Sequence, residues 1–190
     1  MKRVLGDERF YAGDGAQGFT VLDFWRWSTA DLVSNTVRGV LAEFIVAQAL
    51  GVDMLAGRAE WAAYDLRTVD GVTVEVKSAA YVQSWAQQRP STIQFGVGKK
   101  RAWDAATNRL ADEPARAADV YVFALLAHRD RATLDPLNLD QWEFYVLPTT
   151  VLDRRERSQH SITLPSLQRM QAGPHKFDAL RAAVAAAVAT

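Results

Sequence analysis

The sequence predicts an α/β protein built in layers, and three observations support this class. Residues 37–50 carry apolar side chains at a helical spacing. Residues 119–126 and 142–147 are short, mainly apolar segments typical of strands, and residues 64–78 alternate with a period of two. The chain has 190 residues, which suits one domain with a sizeable core, so we predict a single domain over residues 1–190.

Composition narrows the classes of function. Hydrophobic residues make up 49% of the chain and charged residues 23%, the balance of an ordinary folded protein. There is no cysteine, and the three histidines, His128, His160 and His175, lack a ligand spacing, so any metal must be held mainly by oxygen. The net charge is zero, which argues against a protein that coats nucleic acid by charge alone but permits a small positive cleft.

From the first residues of the sequence we expect neither a signal peptide nor a membrane anchor. Charges interrupt MKRVLGDERF before an apolar run can form, and no later segment is apolar for long enough to span a bilayer. A cytoplasmic location is therefore expected. Residues 1–20 hold four glycines and little periodicity, which predicts a loose N-terminal arm.

The first packed elements are expected after this arm. The tryptophan-rich stretch FWRWSTADLVSN should begin the packed part, followed by the helix over residues 37–50. Ser34, Asn35 or Thr36 can cap the start of this helix, and Gly51 stands where it should end. Its surface is apolar or small nearly all round, which is typical of a buried helix. We interpret the tryptophans as core or interface residues; they are Trp25, Trp27, Trp61, Trp85, Trp103 and Trp142.

The second half of the chain supplies further strands and a terminal helix. Residues 92–97 predict a weaker strand, while residues 79–88 suit either a helix or a continuation of the preceding strand. The C-terminal sequence FDALRAAVAAAVA predicts an amphipathic helix.

The segment around Asp70-Gly71 predicts a β-hairpin whose register decides the chemistry. A two-residue turn would mix polar and apolar side chains on both faces. A three-residue loop of residues 69–71, with Gly71 at positive φ, separates them and places Asp65 opposite Glu75. The apolar face then holds Leu66, Thr68, Val72, Val74 and Val76, and the polar face holds Asp65, Arg67, Thr73, Glu75 and Lys77. We therefore predict the second register.

In this register Asp65 and Glu75 have Cβ atoms roughly 5 Å apart, and Lys77 lies on the same face. Two carboxylates at that distance repel each other unless a positive group lies between them. A hard divalent cation with oxygen ligands suits the pair, and Lys77 could orient an attacking water or stabilise the charge that develops on a phosphate. Alternatively, Lys77 neutralises both acids without any chemistry.

Glu43 on the predicted helix is a second acidic candidate. It lies beside Val40 and Ala47, where a carboxylate needs a cation or hydrogen bonds. Pairing with Arg38, or with another arginine of the sheet, would be a purely structural alternative.

Together, Glu43 on a helix, Asp65 on a hairpin and the triplet Glu75-Val76-Lys77 resemble the PD-(D/E)XK nucleases, which have the restriction-endonuclease-like fold. The resemblance covers residues 37–78, with Tyr64 in place of the proline that names the motif. It implies a three-layer fold with a central mixed β-sheet flanked by helices, in the order helix, three strands, helix, strand. It also implies that Asp65, Glu75 and the backbone carbonyl of Val76 bind Mg²⁺ (or Mn²⁺), that Lys77 assists the attacking water and that Glu43 is an accessory acid.

The expected activity is Mg-dependent endonuclease hydrolysis of DNA phosphodiester bonds. The alternative is a noncatalytic nucleic-acid- or protein-binding module that retains the fold. RNA is not excluded, and cutting both strands of a duplex would call for two active sites, as a homodimer provides. Basic residues 154, 155 and 157 could also bind phosphate. The candidate nucleic-acid contacts nearer the site are Ser78, Gln83, Gln94, Lys99, Lys100 and Arg101.

Overall fold

The computed structural model describes residues 3–53, 62–104, 107–156 and 158–189. Met1 and Lys2 of the predicted arm, Trp61 and Arg157 lie outside the described residues. The regular elements, in chain order, are β1 (Arg9–Ala12), β2 (Gly15–Thr20), α1 (Val21–Ser28), α2 (Asn35–Leu50), β3 (Leu66–Arg67), β4 (Thr73–Ala80), β5 (Gln94–Gly96), β6 (Trp103–Asp104), β7 (Arg109–Leu110), β8 (Val120–Leu126), β9 (Trp142–Pro148), α3 (Thr149–Asp153), β10 (Ser161–Thr163), α4 (Leu164–Arg169) and α5 (Leu180–Val188).

A four-stranded mixed sheet in the order β3-β4-β8-β9 forms the centre of the fold. β4 is parallel to β8, whereas β3 pairs with β4 and β9 pairs with β8 in antiparallel fashion. Every residue of β8 is buried, because layers cover both faces of this strand, as its apolar sequence predicts. The predicted strands over 119–126 and 142–147 are thereby confirmed, and so is the mixed α/β class.

The two faces of the sheet support two hydrophobic cores. Helices α2 and α5 cover the face that carries Val74 and Val76 of β4. The opposite face carries Tyr121 and Phe123 of β8 and packs against a layer that includes β5, β10 and α4. Side chains alternate across the sheet, so neighbouring residues of β4 contribute to different layers. The result is the three-layer arrangement that the resemblance implies.

Helix α2 spans Asn35–Leu50, which agrees closely with the predicted residues 37–50. It begins after Ser34, whose side chain makes no capping hydrogen bond, and it ends at Gly51 with φ 68°. The helix buries Ala42, Ile45 and Val46 against the sheet. Its large side chains Val40 and Phe44 remain 44% and 49% exposed, so the expectation of a helix buried nearly all round is wrong.

The N-terminal part differs from the sequence-based expectation. Strands β1 and β2 pair as an antiparallel hairpin where the sequence shows little periodicity. Helix α1 is closed at its start by reciprocal hydrogen bonds between Thr20 and Asp23, but it buries none of its side chains. The tryptophan-rich stretch therefore does not begin the packed core. Among the described tryptophans, Trp142 alone is completely buried, whereas Trp27 is 81% exposed.

The segment between β4 and β8 is where the chain departs from the implied order of elements. β4 ends at Ala80, and residues 81–93 are in neither helix nor strand, so neither alternative for residues 79–88 holds throughout. The weaker strand predicted over 92–97 forms as β5, which pairs with β10 outside the central sheet. The helix expected after the triplet does not occur in the described residues of this segment.

The hairpin adopts the predicted register where its strands pair, but the pairing stops at Leu66, so the predicted pair of Asp65 with Glu75 is not part of the ladder. Leu66 pairs with Val74 and Arg67 with Thr73. The amide of Thr68 donates to the Val72 carbonyl over 2.9 Å, and Gly71 has φ 88°. The predicted terminal helix also forms, as a short 3₁₀ turn at residues 177–179 that leads into α5. In the described part of the chain, no helix combines the length and the apolar character that crossing a membrane requires.

The register depends on the loop conformation at Gly71, which a substitution can test. A Cβ on Gly71 would lie 3.8 Å from its nearest neighbour, so Gly71→Ala should cost backbone strain rather than a clash, about 1–2 kcal/mol. Gly39 in α2, whose Cβ would meet nothing within 4 Å, is the matched control, and Gly39→Ala should stabilise by about 1 kcal/mol. Urea denaturation measures both, and a Gly71→Ala protein as stable as the parent would contradict the three-residue loop.

Candidate active site

Glu75 and Lys77 project from the same face of β4, two residues apart, near the middle of the strand. Val74 and Val76 point to the other face, where they are 0% and 6% exposed. Asp65 comes directly before β3, on the neighbouring edge strand. Within β4, the period-two pattern therefore separates Glu75 and Lys77 from the two valines, as predicted.

Asp65 is joined to β4 through its side chain. The amide of Val76 donates to Asp65 Oδ2 over 2.7 Å, and the Asp65 amide donates to the Val74 carbonyl over 3.1 Å. The N–H and C=O of one strand residue point to the same side, because a paired residue uses both with one partner. The Val76 carbonyl therefore points to the edge of β4 that carries the Asp65 carboxylate.

Glu75 is a buried carboxylate that two ammonium groups approach. Its side chain is 9% exposed, and Oε1 lies 2.5 Å from Nζ of Lys77 and 3.3 Å from Nζ of Lys100. Lys77 is 23% exposed, whereas Lys100 is 72% exposed and reaches in from a loop held by the Lys100 and Ala115 backbones. Sequence patterns place Lys100 in a basic cluster, but only the tertiary structure brings it to Glu75.

The environment of Asp65 raises its pKa to about 6, from an ordinary value of 3.8. Burial is the largest cause, and the negative charge of Glu75 is the next. The Val76 hydrogen bond and the charge of Lys77 act in the opposite direction without cancelling the rise. Burial and neighbouring negative charge together therefore outweigh the contacts that favour the ionised Asp65 carboxylate.

Glu43 takes part in this electrostatic cluster. Its side chain is half-buried on α2, and its charge contributes to the raised pKa of Asp65. Of the two structural alternatives for Glu43, pairing with Arg38 is not among the hydrogen bonds of the Arg38 guanidinium, while pairing with another arginine stays open. The buried Arg38 guanidinium donates to the Val33 carbonyl, to Asn35 and to Gln83.

Tyr121 is a site neighbour that the sequence analysis missed. In the parallel pairing of β4 with β8, Tyr121 stands beside Glu75. Burial, together with the charge of Glu75, raises the pKa of Tyr121 to about 12, so its hydroxyl keeps its proton at neutral pH. No local pattern could have revealed Tyr121, since the two residues are adjacent only through strand pairing.

The structure distributes the candidate nucleic-acid contacts over different places. Gln83 is buried, and its amide N–H groups donate to the Ala80 carbonyl and to Ser91, which assigns it a structural role. Ser78 has the parity of Val76 and so projects from the face opposite Lys77. Gln94, Lys99 and Arg101 are exposed, and Arg101 donates to the Ala111 carbonyl over 2.6 Å.

The second basic cluster borders a cavity away from these residues. Arg155 lines an open cavity of about 300 Å³ together with Glu156, Ser166, Arg169 and Met170. Burial, with a contribution from the nearby Arg116, lowers the pKa of Arg155. Arg154 is exposed.

The donors at the site fit a hard divalent cation. Mg²⁺ takes oxygen ligands and commonly combines one or two carboxylates with water. Asp65 and Glu75 supply two carboxylates, and the Val76 carbonyl points to the same strand edge. Within the residues that the structure describes, no set of three acidic or histidine side chains is close enough to enclose a metal ion. A metal here would therefore need the backbone carbonyl and water as well.

The raised pKa of Asp65 predicts how stability depends on pH without metal. Between about pH 4 and pH 6 the unfolded chain releases the Asp65 proton while the folded protein keeps it, so the free energy of unfolding falls as pH rises through this window. Asp65→Asn should flatten this slope. In EDTA at pH 7.5 it should raise stability by about 1–2 kcal/mol, or the melting temperature by roughly 2–8 °C.

Asp119 provides a control, because its pKa is shifted in the direction opposite to that of Asp65. Hydrogen bonds from the Thr73 backbone and side chain hold the pKa of Asp119 below its usual value. Asp119→Asn should therefore lower the melting temperature at neutral pH. Calorimetry in EDTA at several pH values measures the melting temperatures of both variants. A drop in stability for Asp65→Asn at pH 7.5 would contradict the raised pKa of Asp65.

The chain also matches a known family over most of its length. A family model described as bacteriophage T4 endonuclease IV matches residues 22–165, more than half of the chain and a range that includes Glu43, Asp65, Glu75 and Lys77. No curated protein matches the chain. The matched range runs from α1 to the start of α4 and contains the whole central sheet. The chain therefore belongs to the bacteriophage T4 endonuclease IV family.

Proposed function

We propose that this protein is a Mg²⁺- or Mn²⁺-dependent endonuclease that hydrolyses DNA phosphodiester bonds with a PD-(D/E)XK site. The observation that carries the proposal is the pair of carboxylates Asp65 and Glu75, with Lys77 beside them, in a chain of an endonuclease family. Family membership supports nuclease activity and a nucleic-acid substrate. The acidic strand edge supports the metal-dependent chemistry.

In this proposal Asp65, Glu75 and the Val76 carbonyl hold the metal ion. Such an ion would polarise a phosphoryl oxygen and lower the pKa of a bound water. The repulsion that raises the pKa of Asp65 would be relieved by a cation between the carboxylates. Lys77 keeps a positive charge next to Glu75, from where its ammonium can orient the attacking water or stabilise charge that develops on the phosphate.

Glu43 acts as the accessory acid. Its half-buried carboxylate lies near enough to Asp65 to raise the pKa of that group, so it can hold a metal-bound water or add to the field that attracts the cation. DNA contacts are proposed for the exposed Gln94, Lys99 and Arg101 and for Lys100, whose ammonium reaches Glu75. If both strands of a duplex are cut, a homodimer would supply the second active site.

A noncatalytic binding module that keeps this fold is the competing function. It is favoured by the ion pairs of Lys77 and Lys100 with Glu75, which neutralise part of the acidic charge without a metal. A Mn²⁺ titration separates the two functions, because a module whose carboxylates serve only lysine ion pairs should not bind the ion.

The central test concerns Lys77. Cleavage of plasmid DNA by the parent protein should require Mg²⁺ or Mn²⁺ and should stop in EDTA. Lys77→Ala should retain most metal affinity by calorimetry but lose about 100-fold or more in single-turnover rate, because the lysine acts on the water or phosphate. Asp65→Asn and Glu75→Gln should weaken metal binding. Arg89→Ala, which removes an exposed charge beyond the other end of β4, is the control for lost charge.

One set of results for these variants would contradict the nuclease proposal. Asp65→Asn and Lys77→Ala proteins that both leave metal binding unchanged and both melt earlier would make the trio a structural salt bridge. The binding module would then be the better description.

Glu43 can be tested through the group that it influences. Glu43→Gln should lower the pKa of Asp65, because the negative charge of Glu43 contributes to raising it. Carboxyl ¹³C NMR of the metal-free protein measures this shift directly, and the affinity for Mn²⁺ should fall in the same variant. An Asp65 pKa that is the same in the parent and in Glu43→Gln would remove Glu43 from the site.

A further inference from the structure

Lys100 occupies a position that a surface phosphate contact alone does not explain. Its Nζ lies 3.3 Å from Glu75 Oε1, the same oxygen that Lys77 approaches at 2.5 Å. One oxygen of a buried carboxylate is therefore shared by two ammonium groups from different elements. Lys100 is the more exposed of the two, with 72% of its side chain accessible.

The backbone of Lys100 is anchored, whereas its side chain is exposed. The amides of Lys100 and Ala115 each donate to the other's carbonyl over 3.0 Å, which holds the loop beside the site. Beyond this anchor the side chain is a flexible stem of four methylene groups, and 72% of it is exposed. Lys77, by contrast, stands on β4 itself, and its side chain is only 23% exposed.

We propose that Lys100 is a second active-centre lysine, which gives up Glu75 Oε1 when a divalent metal ion binds and then pairs with the phosphodiester of the nucleic acid. This inference rests on the proposed function and extends it. A metal ion and an ammonium group compete for the same carboxylate oxygen. In the metal-free protein the Lys100 ammonium therefore pairs with Glu75 Oε1, where the metal ion would bind. The anionic phosphodiester gives the displaced ammonium a new partner.

Charge balance supports this exchange. The carboxylates of Glu43, Asp65 and Glu75 and the ammonium groups of Lys77 and Lys100 leave one net negative charge when all are ionised. A divalent cation turns this into one positive charge, which a single phosphodiester neutralises. Without Lys100, the complex with metal and substrate would keep an uncompensated negative charge in a largely buried site, which is unfavourable.

The test uses Lys100→Ala and two comparison variants of the full chain. Removing the competing ammonium should tighten Mn²⁺ binding about two- to fivefold in calorimetry without nucleic acid, because an exposed ion pair of this kind is weak. The single-turnover cleavage rate at saturating Mn²⁺ should fall about 10- to 100-fold, since charge on the phosphate is less well stabilised. Lys100→Arg, which keeps the charge, should recover much of the rate.

Lys99→Ala removes the same charge from the adjacent residue and serves as the matched control for metal affinity. It should leave Mn²⁺ binding unchanged, so that a tightening seen only in Lys100→Ala identifies competition at Glu75. Unchanged or weaker Mn²⁺ binding in Lys100→Ala would overturn the inference. So would a cleavage rate that falls no further than in Arg89→Ala, the control for lost charge away from the site. A parent protein that neither binds Mn²⁺ nor cuts DNA would instead overturn the proposed function, which keeps the two failures distinguishable.

Discussion

The carboxylate of Glu75 is held on a face of the sheet that otherwise buries aromatic and aliphatic side chains, and the rest of the site is arranged around this charge. Burial of an ionised group is costly unless hydrogen bonds or opposite charges compensate it. Two lysines supply that compensation, one from the same strand and one from a distant loop. The pKa of the nearby Asp65 rises because its carboxyl group is buried and because the negative charge of Glu75 lies close to it.

The alternation of β4 connects this electrostatic centre to the stability of the fold. Val74 and Val76 enter the core beneath α2 and α5, while Glu75 and Lys77 face the other layer. A shift of one residue in the pairing would bury the charges among aliphatic side chains and expose the valines, so the hydrophobic core itself enforces the geometry of the site. Asp65 is secured by the Val76 amide, so the same residue anchors the core with its side chain and the acid with its backbone.

Near the far end of β4 another buried charged group, the Arg38 guanidinium, is compensated by hydrogen bonds, here in a structural role. Arg38 is 4% exposed, and its guanidinium bonds to Gln83, whose amide in turn holds the Ala80 carbonyl and Ser91. The described side chains leave Nε of Arg38 without a hydrogen-bond partner. This network ties the start of α2 to the segment after β4. Since α2 also carries Glu43, the network holds the helix whose Glu43 carboxylate acts on the pKa of Asp65.

The sequence by itself determined the parts of this protein that depend on local periodicity and turn chemistry. The helix ending at Gly51, the buried strand β8 and the hairpin register with Gly71 at positive φ all follow from spacing of side chains along a few residues. Only the tertiary structure decided which surfaces are covered and which distant groups meet. It left α1 without buried residues, placed Tyr121 next to Glu75 through parallel pairing and brought Lys100 to the same carboxylate. The physical reason is that burial and charge pairing between residues far apart in the chain depend on how the layers pack, and local patterns carry no record of that packing.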